Sequence, residues 1–374
     1  MIDQFLPYII AITFTAVFPL VTGYLVLVER KLLADFQARL GPMRVGPHGL
    51  LQPIADAIKL LIKEDLVPKD ADKFLFYLAP VISLATAFAS FAVIPITSTV
   101  RVADVNVGIL LISALAAVGV FGIILGGWAS NSNYSLLGAL RGAAQLISYE
   151  VALGLAIVSA VVLSGTLSMT GIVHAQFDQR IWFVFGNYGA MLLSFFIFLI
   201  AAVAEINRAP FDLPEAESEI VAGYHTEYSG FRWGLYMLAE YTNIFIICSV
   251  AVTLFFGGWL RPFPNVAWLA YPFEALFPCI LFAASAYGCW RMKLLPFAAL
   301  LGLTAAAFLM PAVATLVSAP FWFFFKISVV FYVLVWFRAS WPRLRYDQLM
   351  DLGWKRLIPL ALGSLLANAI LGML

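Results

Sequence analysis

The residues best suited to chemistry in this chain are carboxylates. Residues 205–219 read EINRAPFDLPEAESE, an acid-dense stretch with two prolines in a chain otherwise close to lipid in polarity. Glu29, Glu150, Glu205 and Glu240 each lie at or just inside the end of a long apolar run. An isolated carboxylate in a low-dielectric setting is so costly that it takes up a proton or finds a partner. Acids placed this way point to proton handling, and each is a functional-site hypothesis by default. Glu240 is the hardest to dismiss, because apolar residues flank it on both sides. A charge at mid-membrane costs about 2.5–3.5 kcal/mol on insertion scales. The plainer alternative, an acid solvated at the interface, stays open for each one taken singly.

Two polar loops accompany these acids. In the loop 206–234, Glu205 and Arg208 are i,i+3 and pair if the helix continues that far. Pro210 and Pro214 make the next stretch irregular, and Glu215 and Glu219 share one face of a short helix with Glu217 turned away. Crowded carboxylates raise one another's pKa, which makes them proton-exchange sites. A solvated acidic surface is the alternative, and the aromatic setting of Phe211, Tyr224, Tyr228 and Phe231 argues against it. The loop 31–75 opens with Gly-Pro turns at Gly41–Pro42 and Gly46–Pro47. It continues as QPIADAIKLLIK from Gln52 to Lys63, with Pro53 in the first turn and Ile54, Ile58, Leu61 and Ile62 at helical spacing. Asp56, Lys59 and Lys63 fall on or beside the other face. This is an interfacial amphipathic helix, too short to span. It serves either as a surface anchor or as the wall of a lateral opening for a lipid-like substrate.

The elements that must position these groups are membrane helices. Hydrophobic residues make up 63% of 374, charged residues 11%, and mean hydropathy is +0.95. Long unbroken apolar runs predict an all-α polytopic membrane protein rather than a β-barrel. Ten runs of spanning length lie near 5–28, 76–97, 108–128, 147–165, 183–204, 235–258, 272–290, 294–317, 320–338 and 357–374. The first reads as a signal anchor, since Asp3 replaces a basic n-region and Glu29–Lys31 stop it. On the ten-span arrangement one side collects nearly all the Lys and Arg, leaving Arg101, Arg180 and Arg261 on the other and Lys326 inside a span. The positive-inside rule makes the first side cytoplasmic and both termini periplasmic. The four acids then sit at the cytoplasmic ends of their helices. Net charge +1 supports no nucleic-acid partner. Cys248, Cys279 and Cys289 form no CxxC, the three histidines have no metal-ligand spacing, and there is no glycine-rich phosphate loop. The chain is expected to bind no metal, iron–sulfur cluster, flavin or nucleotide itself.

The motifs also resemble a known family. They are VERK at Val28–Lys31, RLGPMRVGPHGLLQPIADAIKLLIKED at Arg39–Asp65, RGAAQLISYE at Arg141–Glu150, EINRAPFDLPEAESEIVAGYHTEYSG at Glu205–Gly230, LAEYTN at Leu238–Asn243 and RLRYDQLMDLGWK at Arg343–Lys355. In order and over most of the chain, they resemble the quinone-chamber membrane subunit of respiratory complex I, the proton-translocating NADH:quinone oxidoreductase. The resemblance implies eight spans in the bacterial inner membrane and a cytoplasmic face docked to a redox arm. It implies quinone as substrate, with NADH, FMN and iron–sulfur clusters held by partner subunits. The implied partners are soluble quinone-site and terminal-cluster subunits, small membrane subunits, antiporter-like subunits and lipids. The resemblance assigns Glu29, Arg30, Arg39, Arg44, Asp56, Lys59 and Phe231 to the quinone chamber and its entrance. It assigns Glu64, Glu150, Glu205, Arg208, Asp212, Glu215, Glu217, Glu219, Glu227 and Glu240 to the coupling path. The chain departs from the family by about fifty extra apolar residues at 263–319, read as two inserted helices within a single membrane domain 1–374. Competing readings are the equivalent subunit of a complex with a ferredoxin, F420 or hydrogenase donor, and a stand-alone proton/cation transporter. The transporter should show internal repeats with discontinuous helices in corresponding halves, and none is seen.

Overall fold

The structure, a computed structural model, describes residues 2–214, 222–264 and 266–373, and among these the regular elements are all helical. The polar face begins with α1 (Ile2–Phe36), whose last turns carry Glu29 and Arg30. A tight loop leads to α2 (Gln52–Ile62), the short helix expected from the QPIADAIKLLI pattern, and none of its residues is buried. Its apolar side, with Ile58 and Leu61 exposed, is free to face lipid.

Next come α3 (Lys73–Ala92), α4 (Gly108–Ala129) and α5 (Asn133–Ser164). Asp72 caps α3 by accepting from the amides of Phe74 and Leu75 at 3.1 and 3.3 Å. Gly165, at φ +68°, ends α5 in the left-handed conformation that favours glycine. A short helix, α6 (Met169–Asp178), precedes α7 (Ala190–Glu205) and α8 (Gly230–Phe255). The remainder is α9 (Pro272–Arg291), α10 (Leu295–Phe308), α11 (Pro311–Ser340) and α12 (Tyr346–Leu371).

Among the described residues, eight helices are long and apolar enough to cross a membrane: α3, α4, α5, Asn187–Glu205, α8, α9, Val313–Ser340 and α12. Together with the 35-residue α1 and the 14-residue α10, they account for the ten apolar runs. Several boundaries differ from expectation: α5 starts at Asn133 rather than near 147, and α12 at Tyr346 rather than near 357. The run 294–317 is not one helix: α10 stops at Phe308 and α11 starts at Pro311. Proline suits a helix's first turn, where the missing N–H costs nothing. Pro311 therefore starts the helix and Pro320 is carried inside it, whereas the apolar runs alone put the break at 318–319.

The bundle is built around α8. Of its spanning window 83% is buried, against 11% for α9, so α8 is enclosed and α9 is peripheral. It packs on α3, on α11 and on α1, while α5 is flanked by α4, α7 and α12. Polar loops from one end of the bundle are pinned to one another. Arg232 pairs with Asp65 at 2.8 Å and lies 3.9 Å over the Tyr77 ring. Ser229 receives the Leu66 amide at 3.0 Å, and Arg343 reaches Asp212 at 2.9 Å. Tyr228 stacks on Phe76 at 4.1 Å and donates to the Phe76 carbonyl at 3.2 Å. Burial pushes the Tyr228 phenol up to about 12, so it remains a donor across the physiological range.

Candidate functional site: an acid-lined cavity

Two local devices shape the site. The first is Gln145, fully buried on α5. Its amide nitrogen lies 2.7 Å from the carbonyls of Ala204 and Phe211 and 3.2 Å from Asn207 Oδ1. It thereby ties the end of α7 to the turn after it. The second is a glycine contact. A Cβ on Gly138 would lie 2.6 Å from Gly223 Cα, and Gly223 itself sits at φ +55°. Only this close approach of α5 to the turn Gly223–His225 brings Tyr224 and His225 against α8.

Between α3, α4, α5, α7 and α8 lies a cavity of about 290 Å³. Three carboxylates from three helices line it: Glu150 of α5, Glu205 at the end of α7 and Glu240 of α8. Ser83, Thr86, Ser90, Ser113, Tyr224, Tyr236, Asn207 and Asn243 add polar groups to walls that are otherwise apolar. A space of this size with several polar partners suits ordered water. Glu205 Oε2 is enclosed and has no hydrogen-bond partner among the described residues. Glu240 is the opposite case. Its Oε1 accepts from the Tyr224 hydroxyl at 2.9 Å and meets His225 Nε2 at 3.3 Å, while Oε2 is 3.6 Å from Arg208.

Arg208 joins this cavity to a fourth carboxylate, Glu29. Its guanidinium lies 4.8 Å over the Tyr241 ring and shares a small hollow with Glu29 and Arg338. Glu29 is buried and ion-paired with Arg338 from the end of α11. The groups therefore run Arg338, Glu29, Arg208, Glu240, His225, with the cavity and its two further acids alongside. Acid and base neighbours at such spacing are suited to passing a proton or an electrostatic change from one to the next.

The other predicted residues divide into distinct groups. Arg30 pairs with Asp56 at 2.7 Å, and Gln52 supports the same carboxylate at 2.8 Å. Arg39 is exposed and turns to Gln37 at 2.7 Å. Arg44, Lys59 and Glu64 are exposed, Glu227 is half-buried, and Phe231 is 50% exposed at the start of α8. Asp212 belongs to the Arg343 contact rather than to the cavity. Glu215, Glu217 and Glu219 lie outside the described residues, as does the face that Glu215 and Glu219 were expected to share. The expected Glu205–Arg208 pair does not form. The helix ends at Glu205, Asn207 turns the chain at φ +51°, and Arg208 is carried to Glu240 instead.

Sequence reasoning missed His225, Tyr236, Arg338 and Arg343 as site residues. A search for metal-ligand spacing could not find His225, because its partner is a carboxylate fifteen residues away on a different element. Arg338 and Glu29 are 309 residues apart, and no local pattern connects them. Among the described residues no group of three or more His, Cys, Asp or Glu is gathered as for a metal ion.

Comparison with known proteins is consistent across the chain. A family model described as NADH dehydrogenase matches residues 9–369. The chain is 58% identical over 381 aligned residues to an H-type subunit of NADH-quinone oxidoreductase, the one numbered 2, of Solibacter usitatus (strain Ellin6076), covering 99% of this chain and 97% of that one. It is 52% identical to the H-type subunit numbered 1 of the NADH-quinone oxidoreductase of Koribacter versatilis (strain Ellin345), over 92% of this chain and 86% of that one. The H-type subunit of the Bacillus cytotoxicus NADH-quinone oxidoreductase is 44% identical over 93% of this chain and 88% of its own length.

Proposed function

The chain belongs to the NADH dehydrogenase family, and from that premise we propose that it is the membrane subunit that admits quinone to a proton-translocating NADH:quinone oxidoreductase and begins the charged path that couples quinone reduction to pumping. The observation that carries the coupling half of this reading is the cavity shared by Glu150, Glu205 and Glu240, with Arg208 leading on to Glu29. Reducing a quinone to a quinol takes two electrons and two protons. Carboxylates in a buried, cation-studded row respond to such a change in charge by exchanging protons or partners. The redox chemistry belongs to partner subunits carrying NADH, FMN and iron–sulfur clusters, and this chain contributes the quinone route and the acids.

Arg30, Asp56 and Lys59, with Arg39 and Arg44 in the loop before α2, form the rim of the entrance in this reading. The exposed apolar side of α2 faces the bilayer from which quinone arrives. The pinned polar loops form the cytoplasmic face, with both termini periplasmic, and the redox arm docks there. The helices α9 and α10 are the inserted pair. The names of the relatives favour NADH as donor over a ferredoxin, F420 or hydrogenase module, and membership in a multi-subunit enzyme disfavours a stand-alone transporter.

The test is to place glutamine at Glu150, Glu205 and Glu240 in turn, which keeps shape and hydrogen bonding but removes ionisation. Coupled quinone reduction is expected to fall further than the amount of assembled complex. Assembled enzyme with unchanged turnover and unchanged pumping in all three variants would refute the coupling role. Photo-crosslinking with a quinone analogue tests the entrance separately, with labelling expected near residues 29–60.

A further inference from the structure

The helices α9 and α10 are held to the rest of the bundle at both ends. At one end Arg261, just past α8, pairs with Glu274 at 3.1 Å, and Trp322 donates to the Phe273 carbonyl at 3.1 Å. At the other end His48, in the loop that precedes α2, meets the Met292 carbonyl at 3.1 Å. The turn between α9 and α10 is thus placed against the loop containing Arg44, on the side where the polar loops gather.

The turn itself is unusual in composition. The amide of Met292 bonds the Gly288 carbonyl, that of Lys293 the Trp290 carbonyl and that of Leu294 the Cys289 carbonyl. This is the pattern of a helix end whose left-handed residue is normally glycine. Here that residue is Lys293, at φ +60°. A β-carbon in this conformation is disfavoured, so the lysine is held there against the backbone's preference. Arg291, two residues earlier, is also exposed, and so is Arg44. None of the three makes an ion pair among the described residues. Beside them, Tyr287 and Trp290 stack at 5.9 Å with both rings exposed, and Met292 and Leu295 are exposed as well.

We propose that the α9–α10 turn, with Arg291 and Lys293 reinforced by Arg44 of the adjoining loop, binds the phosphate of an anionic phospholipid headgroup. Stacked aromatic rings one turn from unpaired cations match a bilayer interface, where tyrosine and tryptophan settle and basic side chains meet lipid phosphate. The exposed apolar sides of α9 and α10 accommodate the acyl chains. A purely structural role is the competing explanation, since cations suit a helix C-terminus. That role requires no lysine in a glycine-like conformation and no aromatic pair exposed alongside. The site rests on the geometry of this turn and not on the acid-lined cavity, so it can fail while the coupling reading stands.

The experiment uses the intact complex in nanodiscs of phosphatidylcholine doped with phosphatidylglycerol, with retained lipid counted by mass spectrometry after detergent exchange. The double variant R291Q/K293Q is expected to retain phosphatidylglycerol roughly thirtyfold less well, from the loss of two interfacial cations. The equal charge change K69Q/K73Q is expected to have no such effect. Because the double variant can reduce assembly, Lys293→Gly serves as a second probe. It relaxes the turn while removing the cation, so the complex should assemble normally and still lose lipid. Full retention in Lys293→Gly together with R291Q/K293Q would overturn the proposal. Displacement by inorganic phosphate alone would also overturn it, by showing a simple anion site.

Discussion

Two buried charges toward opposite ends of α8 are treated in opposite ways. Lys326, 6% exposed inside α11, donates to three backbone carbonyls, those of Phe256 at 2.7 Å, Gly258 at 3.0 Å and Leu260 at 2.5 Å. Its ammonium has three protons and all three are placed, with the Trp182 ring 4.6 Å away. It closes the C-terminal end of α8, where unsatisfied carbonyls and the helix dipole both favour a cation. Glu240 has mixed partners instead: a phenol, an imidazole and a guanidinium at 3.6 Å, with a cavity and two more carboxylates beside it. A charge whose every bond is filled by backbone is a fixture. A charge shared among titratable groups next to open space has other arrangements within reach. Burial alone therefore does not identify a working charge; the nature of its partners does.

The contrast can be broken most forcefully at Lys326. Lys326→Met strands three carbonyls and is expected to destabilise the protein by about 3 kcal/mol. The readout is the yield and melting temperature of assembled complex. Normal assembly with Lys326→Met would remove the distinction between the two charges. Glu240→Gln should do the reverse, leaving assembly near normal while coupled turnover falls roughly tenfold, about 1.4 kcal/mol of barrier. Steady-state quinone reduction and proton pumping, measured on matched amounts of complex, check this.

A smaller effect sharpens the comparison at the connecting residue. Arg208→Lys keeps the charge but loses the planar stacking on Tyr241, and is expected to cost about 1 kcal/mol. It should appear as a several-fold fall in coupled turnover with no change in assembly. An assembly defect would place Arg208 with Lys326, among the fixtures. The smallest effect is expected at Asp212 and Arg343, since the Arg343 side chain is 47% exposed. A double-mutant cycle with Asp212→Asn and Arg343→Gln, read by thermal stability, should give a coupling below about 1 kcal/mol. A larger value would show that a docked partner excludes water from this pair.

Much of this protein is legible without coordinates, because its strongest signals are local. Apolar runs long enough to cross the hydrocarbon core leave few alternatives to helices, and ten of them are countable. The α2 helix follows from its i,i+3/i+4 pattern and Pro53. The acids that matter stand out because a carboxylate in an apolar run has no cheap local excuse. What sequence could not decide is which charge meets which. Glu29 finds Arg338, Asp212 finds Arg343, and Arg208 leaves its neighbour Glu205 for Glu240. Those choices depend on helix packing, on where α7 stops and on the glycine contact that seats Tyr224 and His225. Periodicity and composition report how each segment is solvated. Pairing across the bundle is set by distances between segments, and these exist only once the helices have packed.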